Sequence, residues 1–204
     1  MKLILTRHGE THWNLLRKTQ GGNDTALTEK GKGQARLLAG RLRAENIGVI
    51  YSSPLSRAME TARIIASVAG AEVVSDPDLN EYGFGQWEGQ SIDALKSEYP
   101  DVYRQWVTSP ASCVIPDAEH FPTYSLRILG FLEKVRKLHE NDTVMVVTHQ
   151  LTSKLLITNA LGVTNNLIHS FRVDNASYNV LDLKPGRVVL ERLNDTAHLR
   201  EDLG

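Results

Sequence analysis

Short apolar segments alternate with segments of helical periodicity along most of the chain. The apolar runs occupy residues 2–7, 47–53, 71–75 and 142–149. Between them lie segments whose apolar residues recur every three or four positions, which is the spacing of one helix face. Strands that alternate with helices form parallel sheets that are covered on both faces. The order predicts an α/β fold, a three-layer α/β/α sandwich around a mostly parallel central sheet.

The last part of the chain departs from this alternation. Two runs rich in β-branched and apolar residues, 176–183 and 187–193, flank the turn sequence Lys-Pro-Gly. Such a pair predicts a β-hairpin, so we expect an antiparallel strand at one edge of the sheet. Residues 91–138 are predicted to be mostly helical, with breaks at Pro100 and between Ser109 and Pro122.

Composition narrows the choice of partners. Lys and Arg number 23 against 24 Asp and Glu, a formal net charge of −1, so there is no electrostatic basis for binding nucleic acid or an anionic membrane. The single cysteine, Cys113, excludes an intramolecular disulfide and fits a reducing, cytoplasmic compartment. The apolar start of the chain is too short for a signal peptide or a membrane span.

Polar side chains follow three of the predicted strands. Arg7 and His8 end the first strand, Arg57 lies at the start of the helix after the second, and His149 ends the fourth. In open α/β sheets, ligands bind at the carboxyl ends of the strands. We therefore expect these four side chains to meet at one edge of the sheet.

These residue types suit chemistry on a phosphate group. The planar forks of Arg7 and Arg57 can each bond two oxygens. A neutral imidazole, here His8, is a competent nucleophile toward phosphorus, while His149 can stabilise the charge on the transferring group. The leaving oxygen needs a proton. Glu81, in a glycine-rich turn with apolar neighbours, is expected to supply it from a partly buried, protonated carboxyl group.

Several motifs together resemble those of the histidine phosphatase superfamily, which is also called phosphoglycerate mutase-like. In chain order they are LTRHGETHWN, ALTEKGKGQA, YSSPLSRAMETA, LNEYGFGQWEG, VVTH and NDTAHL. The resemblance implies one domain over residues 1–204 and a phosphohistidine mechanism without metal or other cofactor. It implies that His8 is the nucleophile, that Glu81 is the proton donor, and that the phosphate pocket contains Arg7, Arg57 and His149.

The same resemblance implies contacts with the substrate or the nucleophile at four further positions, namely Thr11, Asn14, Gly21 and Gln150. The family usually has glycine at the position of Gln150, and it often has two glycines before Glu119, where this chain has Asp117 and Ala118. A histidine followed by glutamine, with Phe-Arg-Val at 171–173, is similar to some α-ribazole phosphatases.

Competing functions stay open at this point. The first is a phosphatase of a small phosphorylated metabolite, with α-ribazole 5'-phosphate as one candidate. The second is a phosphoglycerate mutase, which returns the phosphoryl group to its substrate, and the third is an inactive binding module. The sequence HGETH at residues 8–12 lacks the order of a helical zinc motif, so a metallohydrolase is disfavoured.

The middle of the chain favours hydrolysis over mutase activity. Mutases of this family usually carry a longer insertion with extra cations, whereas Lys96 and Arg104 are the only cations between Glu88 and Glu119. Residues at about 90–125 are instead expected to form a helical, lid-like insertion that sets the substrate. The complete set of five polar side chains argues against a binding module. A homodimer is among the oligomeric states that the sequence leaves open.

Overall fold

A six-stranded sheet forms the centre of the molecule, and a computed structural model describes residues 1–200. The order across the sheet is β3-β2-β4-β1-β5-β6. In chain order the strands are β1 (Lys2–Arg7), β2 (Ile47–Ser52), β3 (Glu72–Ser75), β4 (Thr143–Thr148), β5 (Tyr178–Lys184) and β6 (Arg187–Asp195). The first four lie within the predicted segments, whereas β5 and β6 overlap the predicted segments and end one and two residues later.

Four strands pair in parallel, and the hairpin completes the sheet in the opposite sense. Strand β4 lies between β1 and β2, with Leu3 beside Val144 and Ile50 beside Met145. Strand β3 extends the parallel part beyond β2. Strand β5 pairs antiparallel with β1, and β6 pairs antiparallel with β5. The predicted mixed sheet, parallel with an antiparallel edge, is confirmed.

Seven helices connect the strands within residues 1–200. They are α1 (His12–Leu15), α2 (Glu29–Arg41), α3 (Ser56–Ala69), α4 (Ile92–Glu98), α5 (Pro100–Thr108), α6 (Phe121–Leu138) and α7 (Gln150–Leu161). Short 3₁₀ turns lie at Pro77–Leu79, Gly85–Trp87, Pro110–Ser112, Asn165–His169 and Ala197–Leu199. None of the helices in this part of the chain is long and apolar enough to cross a membrane.

Alternate residues of the central strands feed two separate cores. In β1, Leu3 and Leu5 join the core that contains Phe131 of α6 and Leu155 of α7. Ile4, between them, joins the opposite core with residues of α2 and α3. Side chains of a strand point to alternate faces of a sheet. Because both faces are covered, the strands are apolar without interruption, which is the pattern seen in the sequence.

Local capping fixes where the helices begin. Thr28 is the N-cap of α2, and its hydroxyl accepts from the Gly31 backbone N–H over 2.9 Å. Helix α3 begins two residues beyond Pro54, and its Ser56 N–H donates to Asp24 Oδ1 over 2.9 Å. Side-chain oxygens at these positions satisfy N–H groups that have no partner within the helix. The caps set the start of both helices on the side of the sheet where the strands end.

The segment between β3 and α6 covers the carboxyl ends of the strands. Helices α4 and α5 contribute Leu95 and Trp106 to the core shared with α6 and α7. The breaks predicted near Pro100 and after Ser109 are present, since α5 begins at Pro100 and ends at Thr108. The lid-like role expected of residues 90–125 stays a prediction, and the domain boundary expected at residue 204 lies outside the described residues.

Candidate active site

A cavity of about 440 Å³ lies at the carboxyl ends of the parallel strands. Seven of the nine residues predicted for the site line it, namely Arg7, His8, Asn14, Gly21, Arg57, Glu81 and Gln150. The other two, His149 and Thr11, are fully buried beside the wall. The rings of His8 and His149 have centroids 5.3 Å apart. The fold therefore brings together the side chains that were expected to meet.

His8 presents a defined tautomer to the cavity. Its Nδ1 lies 2.7 Å from the Gly9 carbonyl oxygen. A carbonyl oxygen only accepts, so Nδ1 carries the proton and Nε2 of the neutral ring keeps its lone pair. Burial, followed by the charges of Arg7 and Arg57, lowers the pKa of His8 well below its ordinary value. The ring is therefore neutral near pH 7, as a nucleophile must be.

Close packing holds the end of β1 in place. The Gly9 N–H donates to Thr61 Oγ1 over 3.1 Å. The Asn175 side-chain amide donates to the His8 carbonyl oxygen over 2.9 Å. A Cβ at residue 9 would lie 2.3 Å from the Gly31 carbonyl oxygen, so only glycine allows α2 to approach this closely. The His8 backbone is thus held by two other segments.

Arg57 is fully buried and bonded on three sides. Its Nε–H donates to His149 Nδ1 over 3.2 Å, Nη1 donates to the Asn23 carbonyl over 2.6 Å, and Nη2 donates to the Gly21 carbonyl over 2.8 Å. Each terminal nitrogen still has one further N–H to offer. Burial lowers the pKa of Arg57. Arg57 is therefore held by neutral acceptors inside the protein and not by a carboxylate at the surface.

Glu88 also holds the loop whose carbonyl oxygens, at Gly21 and Asn23, accept hydrogen bonds from Arg57. Gly21 has a φ of +54°, and a Cβ there would lie 2.0 Å from Glu88 Oε1. Glu88 accepts from the Gly22 N–H over 3.0 Å and from the Asn23 side-chain amide over 2.6 Å. Glycine is therefore needed at position 21 for two reasons: the backbone has a positive φ, and a side chain would collide with Glu88. Its predicted backbone contact with substrate stays a prediction.

Arg7 carries a buried donor without a protein partner. Its Nη1 donates to the Val173 carbonyl over 3.4 Å, while Nε makes no hydrogen bond within residues 1–200. Burial lowers the pKa of Arg7 to about 10, so the side chain is still charged at neutral pH. Buried polar atoms are nearly always bonded. An anion in the cavity would give this N–H group an acceptor.

The setting of Glu81 differs from the apolar one that the sequence suggested. Its Oε1 accepts from the Thr152 N–H and from the Thr152 hydroxyl, both over 3.1 Å. Its Oε2 accepts from the Leu151 N–H over 3.2 Å. The carboxyl group is therefore held by the first turn of α7, where helix N–H groups lack internal partners. The contacts fix its orientation at the cavity wall.

Glu119 and Arg127 support Glu81 from behind. Arg127 forms a two-point ion pair with Glu119, with Nε–Oε1 and Nη2–Oε2 distances of 2.8 and 2.9 Å. The same guanidinium donates to the carbonyl oxygens of Asn80 and Glu81 over 3.0 and 3.2 Å. Glu119 is thus bound in a structural ion pair, and it does not line the cavity.

Thr11 and His149 contact other protein groups rather than the cavity. Thr11 caps α1, where its hydroxyl accepts from the Asn14 N–H over 3.2 Å. The two ring nitrogens of His149 contact Arg57 and Ser53. Direct contact of Thr11 or His149 with substrate stays a prediction. His12 is exposed, and no cluster of three His, Cys, Asp or Glu side chains suited to a metal occurs in residues 1–200.

The two cations of the middle segment do not line the cavity. Lys96 and Arg104 line a separate surface groove between α4 and α5. The cavity instead receives Arg17 and Lys18 from the loop after α1, and Lys154 from α7. These three cations are not among the site residues predicted from the sequence. A lysine within the apolar helix LTSKLLITNAL was the available signal for Lys154.

Comparison with known proteins agrees with this architecture. The family model described as the histidine phosphatase superfamily (branch 1) matches residues 3–196. Phosphoserine phosphatase 1 from Hydrogenobacter thermophilus is 41% identical over 201 residues, which cover 98% of this chain and 95% of that protein. A probable phosphoglycerate mutase, GpmB, from Enterobacter sp. is 35% identical over 205 residues, again covering 98% and 95%.

A solved structure gives the same result for the fold. The α-ribazole phosphatase from Shigella flexneri matches with a TM-score of 0.85 at 30% identity, over 96% of each chain. The structural neighbours thus include the branch that the histidine-glutamine pair suggested. With a family match that extends from β1 into the turn after β6, and with the five predicted side chains gathered at one edge of the sheet, this chain belongs to the histidine phosphatase superfamily.

Proposed function

We propose that the protein hydrolyses a small phosphomonoester through a phosphohistidine at His8. The observation that carries the proposal is the free Nε2 of a neutral, buried imidazole at the wall of a cavity that also contains Arg7 and Arg57. Membership of the family and the relatives with phosphatase names support the same reaction. In this scheme no metal or cofactor takes part, and the whole chain, residues 1–204, acts as one catalytic domain.

The reaction has two chemical steps. Nε2 of His8 attacks phosphorus, and the bond between phosphorus and the leaving oxygen breaks while Glu81 protonates that oxygen. Water then attacks the phosphohistidine, and Glu81 takes a proton from it. The N–P bond breaks, inorganic phosphate forms, and both His8 and Glu81 return to their starting states. One residue serves as acid and then as base.

Preorganised donors stabilise the phosphoryl group during transfer. The free Nε–H of Arg7 and the remaining N–H groups of Arg57 supply positive charge on two sides. Asn14, Gly21 and Gln150 are proposed to contact the same phosphate. His149 is proposed to orient the guanidinium group of Arg57 toward the phosphate, because its Nδ1 accepts from Arg57 Nε–H. Thr11 acts by holding Asn14.

A mutase is the second candidate, because the cavity has cations beyond those needed for one phosphate. Arg17, Lys18 and Lys154 all lie on its wall, which weakens the argument drawn from Lys96 and Arg104. A mutase and a phosphatase share the phosphohistidine and differ in the acceptor. Release of inorganic phosphate from 3-phosphoglycerate, compared with formation of 2-phosphoglycerate, separates the two activities.

The proposal is tested by phosphate release from a panel of phosphomonoesters with EDTA present. His8→Ala should lower kcat/KM by about a thousandfold or more, the scale of losing a covalent nucleophile. His12→Ala is the matched control, since His12 is exposed and does not line the cavity. Equal activity of the two variants would overturn the proposal. Cytoplasmic location and the possible homodimer stay predictions from sequence.

The segment containing α4 and α5 is proposed to cover the cavity and to determine which leaving group the site accepts. It supplies an apolar wall made of Ile92, Leu95, Tyr103 and Trp106. Trp106 stacks on Tyr82 with ring centroids 5.5 Å apart, so part of this wall is engaged in its own packing. Such a wall can contact an apolar part of the leaving group without giving that group a charged partner.

A further inference from the structure

One side-chain amide joins the backbone of the nucleophile to a second residue of the cavity wall. Nδ2 of Asn175 donates to the carbonyl oxygens of His8 and Gly9 over 2.9 and 3.3 Å. The same nitrogen donates to Asn14 Oδ1 over 3.2 Å. Three oxygen acceptors fix which end of the Asn175 amide is the nitrogen. Asn175 itself lines the cavity, and it lies outside the motifs that predict the site.

The two ends of the Asn14 amide have different surroundings. Its Oδ1 accepts from the Thr11 N–H over 3.0 Å and from the Thr11 hydroxyl over 3.1 Å, in addition to the bond from Asn175. Its Nδ2 makes no hydrogen bond to any residue in 1–200, although Asn14 lines the cavity. Because three protein donors hold the oxygen, the NH₂ group of Asn14 is left for a ligand in the cavity.

Asn175 ties the Asn14 amide to the strand end that carries the nucleophile. The bonds between Thr11 and Asn14 are local, because Thr11 is the N-cap of α1 and Asn14 lies in its first turn. The His8 backbone is fixed in the sheet, where its N–H donates to the Thr148 carbonyl over 2.9 Å. Since Asn175 bonds to both segments, it sets the position of Asn14 Nδ2 relative to the His8 ring.

The backbone that presents Asn175 is strained. The next residue, Ala176, is fully buried and has a φ of +52°, which is uncommon for a residue with a Cβ. Its N–H donates to the Arg7 carbonyl over 2.9 Å, and Asn175 forms an isolated bridge with Arg7. Backbone strain persists where the surrounding structure over-determines it, and it is concentrated at functional sites. The strained turn thus holds Asn175 beside the end of β1.

We propose that Asn175 is a positioning residue for phosphate binding, and that it acts by directing the NH₂ group of Asn14 toward the phosphoryl oxygens. The inference rests on the proposed function, in which the phosphate binds beside His8. The Asn175 amide takes its own position from the carbonyl oxygens of His8 and Gly9, and it passes that position on to Asn14. A preorganised donor stabilises a transferring group only if its distance from the nucleophile is fixed.

Asn175→Ala should lower kcat/KM for p-nitrophenyl phosphate by about tenfold to a hundredfold, the scale of misplacing a group at the reacting centre. Asn179→Ala is the matched control, because the Asn179 amide ties β5 to the Leu5 carbonyl over 3.0 Å but does not line the cavity. The control should be less stable, and its kcat/KM should stay within about threefold of the wild type. Equal losses of kcat/KM in the two variants would make Asn175 a structural residue and overturn the inference.

The same substitution in an Asn14→Ala background tests whether Asn175 acts through Asn14. There the loss of kcat/KM caused by Asn175→Ala should shrink to below about threefold, because the effects of coupled residues are not additive. Full additivity of the two losses would overturn the inference. Asn175→Asp keeps the volume of the side chain and serves if the alanine variant folds poorly. Its carboxylate would face three oxygen acceptors, so activity near that of the wild type would also overturn the inference.

NMR with inorganic phosphate tests the contact without turnover. In the wild type and in Asn179→Ala, the side-chain NH₂ signals of Asn14 should shift when phosphate is added, and in Asn175→Ala this shift should be much smaller. No shift in the wild type, or the same shift in Asn175→Ala, would overturn the inference. If the signals behave as expected but no phosphomonoester is hydrolysed, the proposed function fails and the inference stands. If hydrolysis occurs without this response, the inference fails and the proposed function stands.

Discussion

The Nε–H of Arg57 donates to Nδ1 of His149 over 3.2 Å, and this one bond sets the tautomer of a fully buried histidine. Arginine only donates, so the proton of the neutral ring lies on Nε2, which is 2.9 Å from Ser53 Oγ. Burial, followed by the charge of Arg57, lowers the pKa of His149 well below its ordinary value. The same guanidinium holds the loop at Gly21 and Asn23. Arg57 thus orients two parts of the site at once.

Arg57→Lys should therefore be a severe change despite the conserved charge. A lysine is a point charge and cannot make the three directional bonds of the guanidinium. We expect kcat/KM for p-nitrophenyl phosphate to fall by about a hundredfold to a thousandfold, the scale of losing a preorganised donor. Arg63→Lys, an exposed position on the same helix, is the control. A loss below about tenfold would show that the fork is not needed.

Ser53→Ala tests the other side of His149. Without the hydroxyl, the Nε2–H of His149 is buried without an acceptor, which should cost about 1–3 kcal/mol in the free energy of unfolding. Ser67→Ala, an exposed serine on α3, should change it by less than about 0.5 kcal/mol. Urea unfolding measures both. Nitrogen NMR should show that His149 keeps its proton on Nε2 in this variant, because Arg57 still donates to Nδ1, and a shift toward Nδ1–H would contradict the role given to Arg57.

Glu81→Gln should slow substrates according to their leaving group. An alkoxide needs a proton as it leaves, so kcat/KM for alkyl phosphates should fall by about a hundredfold or more. Nitrophenolate leaves without help, so p-nitrophenyl phosphate should be affected much less. Glu119→Gln is the control, because Glu119 is paired with Arg127. This variant should be less stable, and any loss in its kcat/KM should be the same for both types of substrate. Equal losses for both substrate types in Glu81→Gln would mean that Glu81 is not the acid.

Local sequence pattern and sheet topology together predict the central strands and part of the site. The apolar runs of β1 and β4 are buried on both faces, so their periodicity and length alone identify them as strands of a parallel sheet. The positions of Arg7, His8 and His149 at strand ends then follow from the general rule for such sheets. No knowledge of side-chain contacts was needed for this part of the site.

The rest of the site depends on contacts between segments that have no pattern of their own. Asn175 reaches His8 from an irregular segment that is paired with Arg7 only because β5 docks beside β1. Lys154 lies on a helix that is buried almost all round, so its periodicity does not show which side faces the cavity. The apolar setting expected for Glu81 was wrong because the approach of α7 could not be foreseen.

A covalent intermediate at His8 is the central feature of the proposed mechanism. Rapid chemical quench with ³²P-labelled substrate should trap a protein phosphate that is labile in acid and stable in base, and peptide mapping should place it on His8. The labelled protein should form and decay at rates that account for turnover, and the His8→Ala variant should carry no label. Turnover at the normal rate without labelled protein, or a label on another residue, would contradict the account.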